Sequence, residues 1–222
     1  IREEMKEAGT NVHVVSTLDD ICWTLNIRGN DIDFFPLVLS YGIITMDSFE
    51  LYMDERKLDD KLKAKLAKDG VNLHPYNDIY EDVKKFGSDV VAMIDPGKLN
   101  YALFNNIPEN VKTVKKRNPA ILMKAIKNPV EIENIRKAQI KDSVAHVRFM
   151  KWLKENVGKM RITEMSASDK LDEFRAEMGK FIRPSFEPIS SFGEHGAIVH
   201  YTSSPETDVE LKEGQLYRSW IL

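Results

Sequence analysis

Five histidines could move protons or hold a metal: His13, His74, His146, His195 and His200. Two of them, His195 and His200, bracket the run Gly196-Ala197-Ile198-Val199. An imidazole delivered by a strand just after a glycine turn can donate to a substrate carbonyl or shuttle a proton. The same spacing equally fits residues that merely end a turn and a strand. His13 lies in an apolar run and His146 in a helical pattern, and both read as structural. No His-Glu-x-x-His, Cys-x-x-Cys, P-loop or Gly-x-Gly-x-x-Gly motif is present. Asp19 and Asp20 are adjacent carboxylates, but neighbours in sequence seldom share one site, so they read as helix-start residues. The lone cysteine, Cys22, can form no internal disulfide; between Ile21 and Trp23 it reads as a small buried hydrophobe. Trp23 reads as a core or cleft-wall aromatic.

The elements that must position these residues alternate in type. Ile1–Gly9 predicts a short amphipathic helix, and Val12, Val14 and Val15 a strand. Phe35–Thr45 is apolar and extended, and Asp47-Ser48 can turn the chain so that Phe49–Met53 runs back as a hairpin. Leu58–Lys68 and Asp78–Phe86 predict helices, while Val71–Leu73 and Val90–Ile94 predict strands, the latter stopped by Asp95-Pro96-Gly97. Such alternation implies an α/β sandwich around a mixed sheet. Lys112–Lys127 carries six cations and no acidic residue. It reads as a solvated surface strand and linker, or as a docking patch for an acidic partner. Asn128-Pro129-Val130-Glu131 then combines an N-cap, a first-turn proline and a glutamate that answers the cap. Ile132, Ile135, Ile140, Val144, Val147, Met150 and Leu153 follow at helical spacing, predicting a long helix with one buried stripe. Thr163–Glu177 predicts a second helix, with Ala167, Leu171, Phe174 and Met178 inward and Gly179 past its end. Arg183–Tyr201 reads as extended.

Composition sets the outer limits. The chain has 222 residues, 42% apolar and 30% charged, enough for one large or two small domains. Lys plus Arg number 32 against 35 acidic residues, so nothing draws the whole chain to nucleic acid or an anionic membrane. No apolar run approaches the roughly 20 residues of a membrane span. The chain starts at Ile1 and shows no basic-then-apolar leader, and the expected setting is a reducing compartment, the cytoplasm, with the chain a fragment.

Three segments, in order, resemble the Xaa-Pro aminopeptidases of metallopeptidase family M24, whose catalytic fold is the pita-bread fold. Leu18-Asp19-Asp20-Ile21-Cys22-Trp23-Thr24-Leu25-Asn26-Ile27-Arg28-Gly29-Asn30-Asp31-Ile32 resembles the signature of the second creatinase-like domain of the long, three-domain members. Asn128-Pro129-Val130-Glu131 with Ile135-Arg136-Lys137-Ala138 resembles the first catalytic-domain helix. Phe186–Gly193 and Gly196-Ala197-Ile198-Val199-His200-Tyr201 resemble the strand-turn-strand leading to the metal site. The resemblance implies an α/β (α+β) architecture: a creatinase-like domain over residues 1–127 with a mixed sheet, then the first part of a pita-bread domain over 128–222. It implies hydrolysis of the bond before a proline in second position. Two bridged divalent ions, usually manganese, held by two Asp, one His and two Glu would activate a hydroxide and stabilise the oxyanion.

Only His200 corresponds to one of the family's active-site residues, where it hydrogen-bonds substrate near the scissile bond. Arg28 corresponds to a cleft-wall position, His195 stands where many relatives carry Asn, and no metal ligand can be named. The implied partners are proline-containing peptides and further copies of the chain. A prolidase-type dipeptidase and a metal-free, peptide-binding relative are the alternatives. After Tyr217 the family continues with two apolar residues and Asp-Ser-Gly, whereas this chain reads Arg218-Ser219-Trp220-Ile221-Leu222. The last base of the Trp220 codon with the first two of Ile221 spells GAT, an Asp codon. A shifted frame can therefore restore the family sequence, and the expectation is an inactive chain whose frame was lost near Arg218.

Overall fold

The computed structural model describes residues 1–220; Ile221 and Leu222, on which the frame argument partly rests, lie outside them. Two compact units emerge, one built from Ile1–Ile32 and Pro36–Lys127, the other from Asn128 onward with Asp33–Phe35.

The first unit is a six-stranded mixed sheet with helices on both faces. Its strands are β1 (Val12–Val15), β2 (Ser40–Thr45), β3 (Phe49–Met53), β4 (Val71–His74), β5 (Val91–Ile94) and β6 (Lys112–Lys115). They lie in the order β4-β3-β2-β1-β5-β6. The β1–β2 and β2–β3 pairs are antiparallel, and β3–β4, β1–β5 and β5–β6 are parallel. The β2–β3 hairpin turns as predicted, with Thr45 Oγ1 accepting from the backbone amides of Asp47 and Ser48. Its register pairs Gly42 with Leu51, and the ring of the diagonal Phe49 lies 2.7 Å from where a Cβ would stand, so a side chain there would have to displace that ring.

Side chains alternate across the sheet with the period of two that strands impose. Val15, Ile44 and Met93 join one core with Met5, Ile21 and Leu66, from helices α1 (Arg2–Glu7), α2 (Leu18–Leu25) and α3 (Asp60–Lys68). Val12, Val14, Ile43 and Ala92 join the other, with Ile79 of α4 (Ile79–Asp82) and Leu103 of α5 (Tyr101–Asn106).

Three local expectations change. The helix over Asp78–Phe86 is only one turn, α4, between 3₁₀ turns at Tyr76–Asp78 and Val83–Lys85. The extended run before Thr45 becomes a strand only at Ser40. The basic linker contains a helix, α6 (Ala120–Ala125). Two of its lysines are internal ion-pair partners: Lys116 meets Glu4 at 2.7 Å, and Lys124 meets both Asp19 and Asp20.

The second unit opens on the helix that the capping signal predicted. Asn128 Oδ1 accepts from Glu131 N at 2.9 Å and Glu131 Oε2 accepts from Asn128 N at 2.8 Å, closing a capping box on the 28-residue α7 (Pro129–Asn156). Helix α8 (Glu164–Glu177) is capped by Thr163 and followed by Gly179 in the left-handed region. Arg175 ties it to α7, its Nε donating to Asp142 at 2.7 Å. Strand β7 (Ile189–Phe192) pairs antiparallel with β8 (Tyr217–Trp220).

Of the predicted stripe on α7 only Leu153 packs on the core, and the rest is exposed. Ile140 is 65% exposed and Val147 60%, and Ile132, Ile135, Val144 and Met150 are exposed as well; the buried residues are Ala145 and Phe149. The helix is apolar on two opposite sides, and α8 covers only the side of Ala145, Phe149 and Trp152. Helical spacing identifies both stripes but not which one finds a partner.

Candidate functional site

The residues singled out in the sequence fall in separate units. In the first, α2 ends at Asn26 in a left-handed conformation, and Arg28 follows in the exposed loop. Its Nη1 folds back onto Ile27 O at 2.9 Å and Asn26 Oδ1 at 3.4 Å. In the second, β7 leads into a 3₁₀ turn over Gly193–Ala197, so His200 lies in an exposed turn rather than on a strand. Among the described residues no hydrogen bond engages the His200 ring, leaving both nitrogens open to a ligand.

What the structure gathers around this turn is a residue that the motif search passed over. Glu164, the first residue of α8, has a side chain with no exposure to solvent. Its carboxylate accepts from Phe192 N at 2.6 Å, from the Tyr201 hydroxyl at 2.6 Å and from His195 Nδ1 at 3.0 Å. The Ser190 hydroxyl donates to the Glu164 carbonyl at 2.5 Å and lies 2.7 Å from the Tyr217 hydroxyl. A buried carboxylate is tolerated only when its oxygens are met by donors, and here three meet it. The helix N-terminus adds a favourable field. Burial, and then donation to Glu164, push the Tyr201 phenol above its ordinary range. The sequence carried one clue, a glutamate next to the Thr163 cap, but that position ordinarily faces water.

Burial also pushes the Tyr217 phenol up, to about 12 from an ordinary 10. The unfolded chain ionises this group first, so its contribution is fully present below about pH 10 and disappears as pH rises towards 12. A two-unit shift corresponds to about 3 kcal/mol. Tm measured against pH in this window is expected to fall more steeply for the wild-type chain than for Tyr217→Phe. Parallel curves would show that the phenol is not held neutral by burial.

A second polar cluster lies in the first unit. Asp20, 1% exposed, accepts from Thr17 Oγ1 at 2.5 Å, Asn118 Nδ2 at 2.9 Å and Lys124 Nζ at 2.7 Å. Beneath it the buried His13 ring faces Met93 O at 3.0 Å and Asn118 Oδ1 at 3.2 Å; burial, the largest influence, lowers its pKa. His13 is structural, as read. The two aspartates do share a partner, contrary to the expectation for sequence neighbours, because Lys124 reaches over the first turn of α2 to both. Cys22 is buried, with Val38 N donating to its sulfur at 3.4 Å.

Metal chemistry finds no fit among these residues: among the described residues, no three His, Cys, Asp or Glu side chains are grouped to hold an ion. Nor is any described helix long and apolar enough to cross a membrane.

Comparison with known proteins bears on both units. The creatinase/prolidase N-terminal domain profile matches residues 1–131, and the metallopeptidase family M24 profile matches residues 133–218. Xaa-Pro aminopeptidase 1 of Dictyostelium discoideum is 38% identical over 221 residues, covering 96% of this chain and 34% of that protein. A probable Xaa-Pro aminopeptidase P of Neurospora crassa is 36% identical, covering 90% of this chain and 31% of its own length. The crystal structure of the X-prolyl aminopeptidase of Caenorhabditis elegans, described as a cytosolic enzyme with a di-nuclear active site, superimposes with a TM-score of 0.91. It is 31% identical, covering 97% of this chain and 36% of that one. The chain thus spans about a third of the length of these relatives.

Proposed function

Because this chain belongs to the creatinase/prolidase N-terminal domain family and continues into metallopeptidase family M24, we propose that it is part of a metal-dependent aminopeptidase. The enzyme releases the first residue from peptides with proline in second position. One observation carries the reading: a single relative named for that activity matches both units in one alignment, at 38% identity over 96% of the chain. In this reading residues 1–127 are the second creatinase-like domain of a long-form enzyme, and residues from 128 begin the pita-bread domain. His200 hydrogen-bonds the peptide near the scissile bond, which its open ring nitrogens allow, and Arg28 lines the approach. The C. elegans neighbour's di-nuclear site supports a pair of divalent ions, and oxygen-rich ligands favour manganese. The residues described do not hold such a site, so no catalytic step is assigned through it. The cytoplasm is the proposed compartment.

The test is to read the source gene through the Tyr217 codon and to assay the product of any continuing frame. Expected is release of the first residue from Xaa-Pro peptides but not from Xaa-Ala peptides, restored by manganese after chelation. The 222-residue chain itself is expected to release none. A frame that ends at Leu222 with no ligands downstream overturns the enzyme reading, and a preference for free dipeptides converts it to a prolidase.

We further propose that the chain self-associates through the uncovered side of α7, where Ile140, Val147 and Met150 stand exposed. Sedimentation velocity is expected to show a concentration-dependent rise in mass that Ile140→Lys with Val147→Lys abolishes. A monomer at all concentrations contradicts it.

A further inference from the structure

We propose that Glu164 is a positioning residue: its buried carboxylate clamps, through Phe192, His195 and Tyr201, the segment that carries His200. The consequence for catalysis rests on the peptidase reading above; the clamp itself does not.

All three donors come from one ten-residue stretch. Phe192 N, His195 Nδ1 and Tyr201 Oη approach the same carboxylate at 2.6, 3.0 and 2.6 Å. They pin the start, the middle and the end of the stretch that includes the exposed turn from Gly196 to His200. Two of them brace each other, because the His195 and Tyr201 rings stack with centroids 4.5 Å apart at 26°. Tyr201 is held a second time, from Thr207 Oγ1 at 3.2 Å. The acceptor is fixed as well. Glu164 sits on the first turn of α8, whose end is locked by the Thr163–Ser166 box and by Glu164 N donating to Val209 O at 3.1 Å.

A carboxylate can only accept, so His195 must carry a proton on Nδ1. Beyond the 3₁₀ turn's own bonds, the backbone adds Gly193 N to Leu216 O and Ile198 N to His195 O. Arg218 Nη1 adds a long contact to Gly196 O at 3.4 Å. A segment outside a sheet, with an exposed turn, keeps one conformation only where side chains determine it. Here one carboxylate does so at three points. His200 adjoins the last of them, so its backbone is held on the side of Tyr201.

Amide hydrogen exchange and imidazole ¹⁵N NMR on the 222-residue chain test the clamp without any peptide hydrolysis. The expected wild-type signature is a His195 ring protonated at Nδ1 and protection at the hydrogen-bonded amides of Phe192, Gly193 and Ile198. In Glu164→Gln the preference for a proton on His195 Nδ1 is expected to weaken and exchange at these amides to rise about tenfold, the effect of one lost charge-assisted hydrogen bond. Protection across the middle of α8 should stay unchanged. If Glu164→Gln opens the whole unit, His195→Leu and Tyr201→Phe decide, since each leaves the carboxylate two donors. Faster exchange confined to 192–201 in these variants supports the clamp. Unchanged exchange there, or equal acceleration along α7 and α8, overturns it and reduces Glu164 to a packing residue. Failure of the peptidase assay would leave these measurements standing, and their failure would leave the peptidase reading standing.

Discussion

Phe149→Ala is expected to unfold the second unit while the first stays folded. The Phe149 side chain is 1% exposed and is the hub of a small core shared with Ala145, Ile162, Ala167, Leu171, Phe174, Phe192 and Leu211. Trp152 stacks on it at 6.2 Å and Tyr217 leans on it at 6.3 Å. Truncating a buried phenylalanine removes about 3–5 kcal/mol, through lost transfer free energy and the cavity left behind. Whole domains keep only about 5–15 kcal/mol, and a unit with one apolar helix side uncovered stands at the lower end. Limited proteolysis with mass mapping reads the two units separately: new cuts are expected between α7 and β8, and none within the six-stranded sheet. Val130→Ala is the control on the same helix. Its side chain is 69% exposed and outside the proposed contact, so a change within about 0.5 kcal/mol is expected. A Phe149→Ala chain as resistant as the wild type would show that α7 is held by something other than this core.

That contrast marks where sequence reading stops. The α7 pattern gave the right helix and the right cap, because both depend on residues adjacent in the chain: Asn128 with Glu131, and a proline at the first turn. The β2–β3 hairpin and the α8 face were legible for the same reason. Which side of α7 is buried depends on α8, and spacing along one helix carries no information about a neighbour. The α6 helix was hidden because its six residues are too few for periodicity to stand out against Lys112–Lys127. His200 was nominated through resemblance to the family, with its exposed turn unforeseen. Glu164 left only its place beside the Thr163 cap as a clue, since its importance comes from three donors lying 28 to 37 residues downstream. Long-range polar clusters leave no local signature, and the Asp20 network is another instance.

Asp20→Ala should destabilise the first unit by about 3 kcal/mol. The carboxylate closes a chain of buried polar groups. Without it Asn118 Nδ2, in a residue 3% exposed, loses its acceptor, and the Thr17 hydroxyl loses its partner. Each unmet buried donor costs about 1–3 kcal/mol. Lys124 contributes less to the sum. It is partly solvated and keeps Asp19, whose carboxylate Lys124 holds below its ordinary range against the opposing effect of burial. Asn118 cannot rotate to escape, because its Oδ1 accepts from Ala120 N at 3.1 Å and faces His13 Nε2. The loss therefore spreads to the β1 strand and the start of α6, which this network ties together. Urea unfolding of the chain is expected to show the transition of the first unit at lower denaturant with an unchanged slope. Asp20→Asn keeps shape and one acceptor, so it should recover part of the loss, and Asp19→Ala should cost well under 1 kcal/mol. Equal effects of Asp19→Ala and Asp20→Ala would mean that the pair acts through the helix dipole alone and that the buried network contributes nothing to holding β1 against α6.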